Sequence, residues 1–173
     1  MEKFAFLLAG IAVSLLGFVF VAVLYKWILR QPSENAKIAE IGEYIRKGSN
    51  TFLWKEYRVL AKFAGVAAVI IFVLLPRPVW ASDVNLLDNL AMALAYIFGT
   101  VFSGLAGKVG IAVATKANIK TAEASKKGIA PGFLCGFRGG AVMGLAVVGA
   151  SLLGVSLVFL ITGNASMLLG FSF

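Results

Sequence analysis

The chain has 173 residues, 60% hydrophobic and 14% charged, with a mean hydropathy of +0.92 and a formal net charge of +8. A water-soluble domain of this length cannot bury so much apolar surface, so the composition implies an all-α, polytopic transmembrane helix bundle. Histidine is absent and Cys135 is alone, which excludes histidine metal sites, histidine-based triads and an internal disulfide within these residues.

Lys3 and Lys26 bracket 22 uncharged residues, Phe4 to Tyr25. That run is long enough for the roughly 30 Å hydrocarbon core of a bilayer. It exceeds the apolar region of a signal peptide and closes on Tyr25, Lys26, Trp27 and Arg30, an aromatic and basic anchor rather than a cleavage site. The first span is therefore placed at about 4–29.

Pro32 and Ser33 break the pattern. From about 36 to 56, Ile38, Ile41, Ile45 and Phe52 recur at helical spacing among Glu34, Lys37, Glu40, Glu43, Arg46 and Lys47. This predicts an amphipathic helix at the membrane interface, or an extension of the next span, weakened near Gly48 and Ser49. Arg46, Lys47, Lys55 and Arg58 could hold phosphate, but a solvated, lipid-facing basic surface is the plainer reading.

The second span is expected at about 57–76. Only the 13 residues Phe63 to Leu75 lack both charge and proline, so full length requires Lys62 to reach back to the interface. Pro76, Pro78 and Trp80 form an exit, followed by Asp83 and Asp88. The third span, about 86–115, contains the uncharged Asn89–Gly107 and is then interrupted by Lys108. An intramembrane charge is by default a functional candidate, which makes Lys108 the one such position. Its distance of about two turns from Lys116 also allows it to snorkel.

Thr115 to Gly132 reads as a polar connection with four lysines, closed by Gly128 and Pro131–Gly132. The fourth span, about 133–161, includes FRGGAVMGLAVVGASLLG, in which Gly140, Gly144, Ser151 and Gly154 suggest a smooth packing face. After Thr162–Gly163–Asn164, residues 166–173 read as the start of a fifth helix, cut short.

Loop charge orients the bundle. Residues 26–62 carry eight Lys/Arg and residues 108–138 carry six, against Arg77 and Lys3 elsewhere. The two basic connections are expected to be cytoplasmic and both chain ends outside, in four spans. The same argument absorbs the basic excess, so no nucleic-acid partner is expected. No carboxylate cluster, phosphate loop or HExxH motif accompanies the spans; Glu40 and Glu43 are read as solvated members of a surface helix.

Three stretches carry a family resemblance: IAEIGEYIRKGSNTFLWKEYRVLAKF (38–63), FGTVFSGLAGKVGIAVATKANIKTAEASKKG (98–128) and FRGGAVMGLAVVGASLLG (137–154). In this order and spacing they resemble the membrane-integral, ion-pumping pyrophosphatases, over about residues 26–173. Lys108 departs from the pattern, which has an uncharged or aromatic residue there. The resemblance implies a protomer of about sixteen helices in two rings, assembled as a homodimer in the cell membrane of a prokaryote. Such a protein hydrolyses cytoplasmic pyrophosphate with Mg²⁺, in some members with K⁺, and moves H⁺ or Na⁺ outward. It further implies that residues 1–173 are the N-terminal, outer-ring scaffold. The partners would be membrane lipid and the remaining helices, with the catalytic, substrate and metal ligands all outside this stretch and the stretch inactive alone. A self-contained four-helix accessory protein is the alternative, and a lipid-binding protein a weaker one.

Overall fold

In the computed structural model, residues 2–172 are described, and they form five helices. These are α1 (Glu2–Leu29), α2 (Ala36–Leu74), α3 (Leu86–Ser125), α4 (Ile129–Thr162) and α5 (Ala165–Ser172). The four longer helices are each long and apolar enough to cross a membrane. The all-helical architecture with four candidate spans matches the composition-based expectation.

Two helices are longer than their apolar segments. Residues 36–74 form a single helix, so the amphipathic stretch is an extension of the second span and Gly48 does not divide it. The Asn35 side chain starts this helix by accepting the Ile38 N–H at 3.1 Å. Likewise, α3 carries on ten residues past Thr115, so most of the expected polar connection is helical. Lys and Glu are good helix formers, and polarity alone does not end a helix.

The α3–α4 turn is correspondingly short. Gly128, at φ +129°, a conformation that L side chains rarely adopt, reverses the chain, and α4 begins at Ile129 instead of Phe133. Pro131 then lies in the first helical turn, where backbone N–H groups have no intrahelical partner and proline is tolerated. At the other end Gly163 (φ +62°) closes α4 in the left-handed conformation, its N–H donating to Phe159 O at 2.8 Å.

α3 packs against α2, α4 and α5, while α1 lies mainly on α4. The α1–α4 pair is antiparallel: Gly10 faces Ser156, Phe18 faces Gly149, and Trp27 faces Arg138. One buried cluster joins Ile28, Val113, Ala117 and Val142 near the α1–α2 and α3–α4 connections. A second joins Ala68, Ile71, Met92, Tyr96, Val158 and Met167 near the α2–α3 connection. In lipid such clusters cohere through close packing rather than exclusion of water.

The small-residue face of α4 differs from the expected one. Gly139 and Gly149 are buried against Ala117 and Phe18, whereas Gly140 and Gly144 open onto free space. Gly154 does pack, beneath the Phe171 ring of α5. With residues set 100° apart, a shift of one position moves a glycine from one neighbour to another, and the sequence has glycines on both sides.

Candidate functional site

The chemistry-bearing residues gather at the end of the bundle that carries the α1–α2 and α3–α4 connections. Four helix ends meet there. The Asn35 N–H donates to the Glu123 carboxylate at 3.2 Å, and Lys126 pairs with the same carboxylate at 3.1 Å. Lys120 Nζ donates to Gln31 O at 2.6 Å, and Lys116 Nζ donates to the Tyr25 hydroxyl at 2.9 Å. Arg138, half-buried at the start of α4, places its guanidinium 4.0 Å from the centroid of the Trp27 ring. Stacked Arg on an indole face is a favourable cation–π geometry.

These contacts account for the basic residues as clamps. Lys116 and Lys120 cap carbonyl and hydroxyl oxygens near the end of α1, and Glu123 neutralises part of the charge while holding the start of α2. They link residues roughly 90 positions apart in the chain. No local sequence pattern signals such pairs; the one hint is that Glu123 is the sole acid among four lysines.

The sequence-selected basic patch on α2 does not converge. Arg46 is paired with Glu43 at 2.8 Å, Arg58 lies over the Trp54 ring at 5.8 Å, and Lys47 and Lys55 are exposed. Glu40 takes Lys37 at 3.6 Å, so Glu40 and Glu43 each have a cation and do not form a carboxylate pair. The residues Ile41, Ile45 and Phe52, whose spacing defined the amphipathic pattern, also face outward; Gly42 and Leu53 make the contact with the bundle.

Lys108 is exposed on α3, following Leu94, Val101 and Leu105 along one outward stripe. It makes no salt bridge among the described residues. Between α2 and α3 lies an open groove of about 800 Å³, where Tyr57 donates its hydroxyl to Gly104 O at 2.5 Å. Gly107, one turn on, leaves room for that hydroxyl, which lies 2.7 Å from where a Cβ at 107 would stand.

At the opposite end, Arg77 pairs with Asp83 in the α2–α3 connection. Buried Asn89 donates from Nδ2 to Phe72 O at 2.9 Å and to Arg77 O at 2.8 Å. Phe72 O would ordinarily accept from residue 76, but Pro76 has no N–H, and the amide of Asn89 replaces that bond.

Among the described residues no three His, Cys, Asp or Glu side chains come together as a metal site. The acids present are paired with Arg77, Lys37, Arg46 and Lys126 or stand apart. These residues therefore do not fit a Mg²⁺ centre, which needs an oxygen-rich ligand set.

A family model described as inorganic H⁺ pyrophosphatase matches residues 15–173. A K⁺-insensitive pyrophosphate-energized proton pump of Methanosarcina mazei is 33% identical over 160 residues, 92% of this chain and 22% of that protein. A K⁺-stimulated pyrophosphate-energized sodium pump of Thermotoga maritima is 35% identical over 154 residues, 88% of this chain and 19% of that protein. The Pyrobaculum aerophilum K⁺-insensitive proton pump is 32% identical over 162 residues, again 22% of its length. The chain thus spans about a fifth of the length of the curated relatives it matches. With four membrane-length helices and this match over nearly all of its residues, the chain is a multi-pass membrane protein and belongs to the inorganic H⁺ pyrophosphatase family.

Proposed function

We propose that these residues form the N-terminal, outer-ring part of a pump that couples cytoplasmic pyrophosphate hydrolysis to outward transport of H⁺ or Na⁺. The observation that carries this reading is the family match over residues 15–173 combined with relatives named as pyrophosphate-energized pumps. Hydrolysis would use Mg²⁺ held by residues outside this stretch, and K⁺ stimulation would be set there too. The complete protein is read as a homodimer in a prokaryotic cell membrane.

The orientation follows from charge. The clamped end has Lys26, Arg30, Lys116, Lys120, Lys126, Lys127 and Arg138, and the opposite connection has Arg77 among Asp83 and Asp88. Positive charge is retained on the cytoplasmic side, so the clamped end is cytoplasmic and the α2–α3 connection external. Lys108, with its amine about two turns from that cytoplasmic end, snorkels toward it. Mg²⁺-dependent pyrophosphate hydrolysis in membranes carrying the complete reading frame, compared with membranes carrying residues 1–173 alone, tests the proposal. Hydrolysis in the first and none in the second is the expected result.

A further inference from the structure

At the end of the bundle opposite the clamps, polar residues from three separate stretches line one pocket of about 270 Å³. Asp83 comes from the α2–α3 connection, Asp88 and Asn89 from the first turn of α3, and Asn164 and Ser166 from the α4–α5 turn and the start of α5. Asn89, 1% exposed, is the most buried of them. Both N–H groups of its amide are spent on Phe72 O and Arg77 O. Its Oδ1 is buried and has no hydrogen-bond donor among the described residues. A buried oxygen left in that state costs about 1–3 kcal/mol, which a cation or a water molecule beside it relieves.

Charge decides between the two. Arg77 neutralises Asp83, whereas Asp88 is exposed and has no cationic partner among the described residues. The pocket therefore keeps one uncompensated negative charge. The positive end of the α3 dipole accounts for Asp88 by itself, but not for the amide and hydroxyl oxygens gathered beside it. A water molecule satisfies Asn89 and leaves Asp88 as it was; a cation answers both.

The donor set selects the cation. Ca²⁺ takes six to eight oxygens in flexible geometry and mixes carboxylate, amide and water ligands, whereas Mg²⁺ demands a near-ideal octahedron. Two carboxylates, one of them tied to arginine, do not make the Mg²⁺ centre of hydrolysis. Oxygens from three stretches, in a pocket with room for several waters at about 30 Å³ each, do suit Ca²⁺. Such an ion also fills a mechanical gap. Hydrogen bonds cross between connections at the clamped end, but among the described residues none joins the α4–α5 turn to the α2–α3 connection.

We propose that this pocket is a Ca²⁺ site in which Asp88, Asp83, Asn89 and the polar side chains of Asn164 and Ser166 share one ion, stapling the start of α5 to the start of α3. With so few charges the affinity expected is that of extracellular modules, about 10⁻⁴–10⁻³ M. The orientation proposed above puts the pocket outside, where a site of that affinity can be filled.

The test uses the complete reading frame, purified in detergent with excess Mg²⁺ and no pyrophosphate, and Tb³⁺ as a luminescent stand-in for Ca²⁺ excited through tryptophan. Trp80, exposed in the same connection as Asp83, is the local antenna. The parent is expected to show a Tb³⁺ signal that Ca²⁺ displaces and an equal concentration of Mg²⁺ does not. Asp88→Asn should weaken that displaceable binding by about tenfold or more, Ser166→Ala by less, and Asp88→Glu should retain it. Trp80→Phe should remove the signal with Asp88 intact. Equal signals in the parent and Asp88→Asn would mean that water alone meets Asn89, and would overturn the site. Equal displacement by Mg²⁺ would overturn the choice of ion. Should Asp88→Asn yield no folded protein, Ser166→Ala carries the reading: a weaker signal supports the site and an unchanged one overturns it. None of these readouts uses hydrolysis or transport, so an inactive protein with the Asp88-dependent signal would refute the proposed function and leave this inference standing.

Discussion

The Asn35 backbone N–H donates to the carboxylate of Glu123, 88 residues later, at 3.2 Å. This single bond joins the α1–α2 connection to the end of α3, and Lys126 shares the same carboxylate. Glu123→Ala removes the acceptor for a half-buried N–H and is expected to destabilise the folded protein by about 1–2 kcal/mol. Glu123→Gln keeps an acceptor but not the charge, and should cost less. Thermal melting of the detergent-solubilised full-length protein separates the two; equal losses would mean that charge alone matters at this position.

Asn89 serves the opposite end. Its amide substitutes for the N–H that Pro76 lacks, and it is almost wholly buried. Asn89→Leu strands two carbonyls and should cost about 2–3 kcal/mol. Asn89→Leu combined with Pro76→Ala restores a donor for Phe72 O and is expected to recover part of the loss. Melting curves of the single and double variants check this, and strict additivity would show that the two residues are uncoupled.

Lys108 bears no ion partner among the described residues and points away from the bundle. Lys108→Gln and Lys108→Leu are therefore expected to change stability by no more than about 0.5 kcal/mol. Pyrophosphate-driven ion uptake by the full-length protein should be unchanged. A loss of uptake with stability intact would assign this charge to the transport path.

The bundle's orientation is measurable by cysteine accessibility in right-side-out vesicles of cells carrying the full-length protein. In a background in which Cys135 and every other cysteine of the full-length protein are replaced, Ser82→Cys is expected to react with a membrane-impermeant maleimide, and Ser33→Cys and Lys127→Cys only after permeabilisation. The reverse pattern would contradict the positive-inside assignment.

Much of the architecture was readable from hydropathy, because a bilayer demands long apolar runs and charges mark their ends. Phe4–Tyr25 and Asn89–Gly107 are such runs, and both lie inside helices of the structure. What hydropathy does not encode is where a helix stops once it leaves the apolar layer. α2 and α3 extend well into polar sequence because Glu, Lys and Ala favour helix there and Asn35 and Gly128 supply the ends. Packing partners were less legible still. Ile41, Ile45 and Phe52 are spaced as a buried stripe yet face outward, and Gly140 and Gly144 look like a packing face yet meet nothing. Periodicity reports that one side of a helix is apolar, and in a membrane both lipid and protein can meet that side. The clamp residues Lys116, Lys120, Glu123 and Arg138 had no signature at all beyond their charge, since their partners are distant in the chain.

That these residues are part of a pyrophosphate-driven pump is checked in inverted membrane vesicles carrying the complete reading frame. Mg²⁺-dependent pyrophosphate hydrolysis coupled to H⁺ or Na⁺ uptake into those vesicles is expected, with neither activity in vesicles carrying residues 1–173 alone. Folded, membrane-inserted full-length protein that neither hydrolyses pyrophosphate nor moves either ion would contradict it.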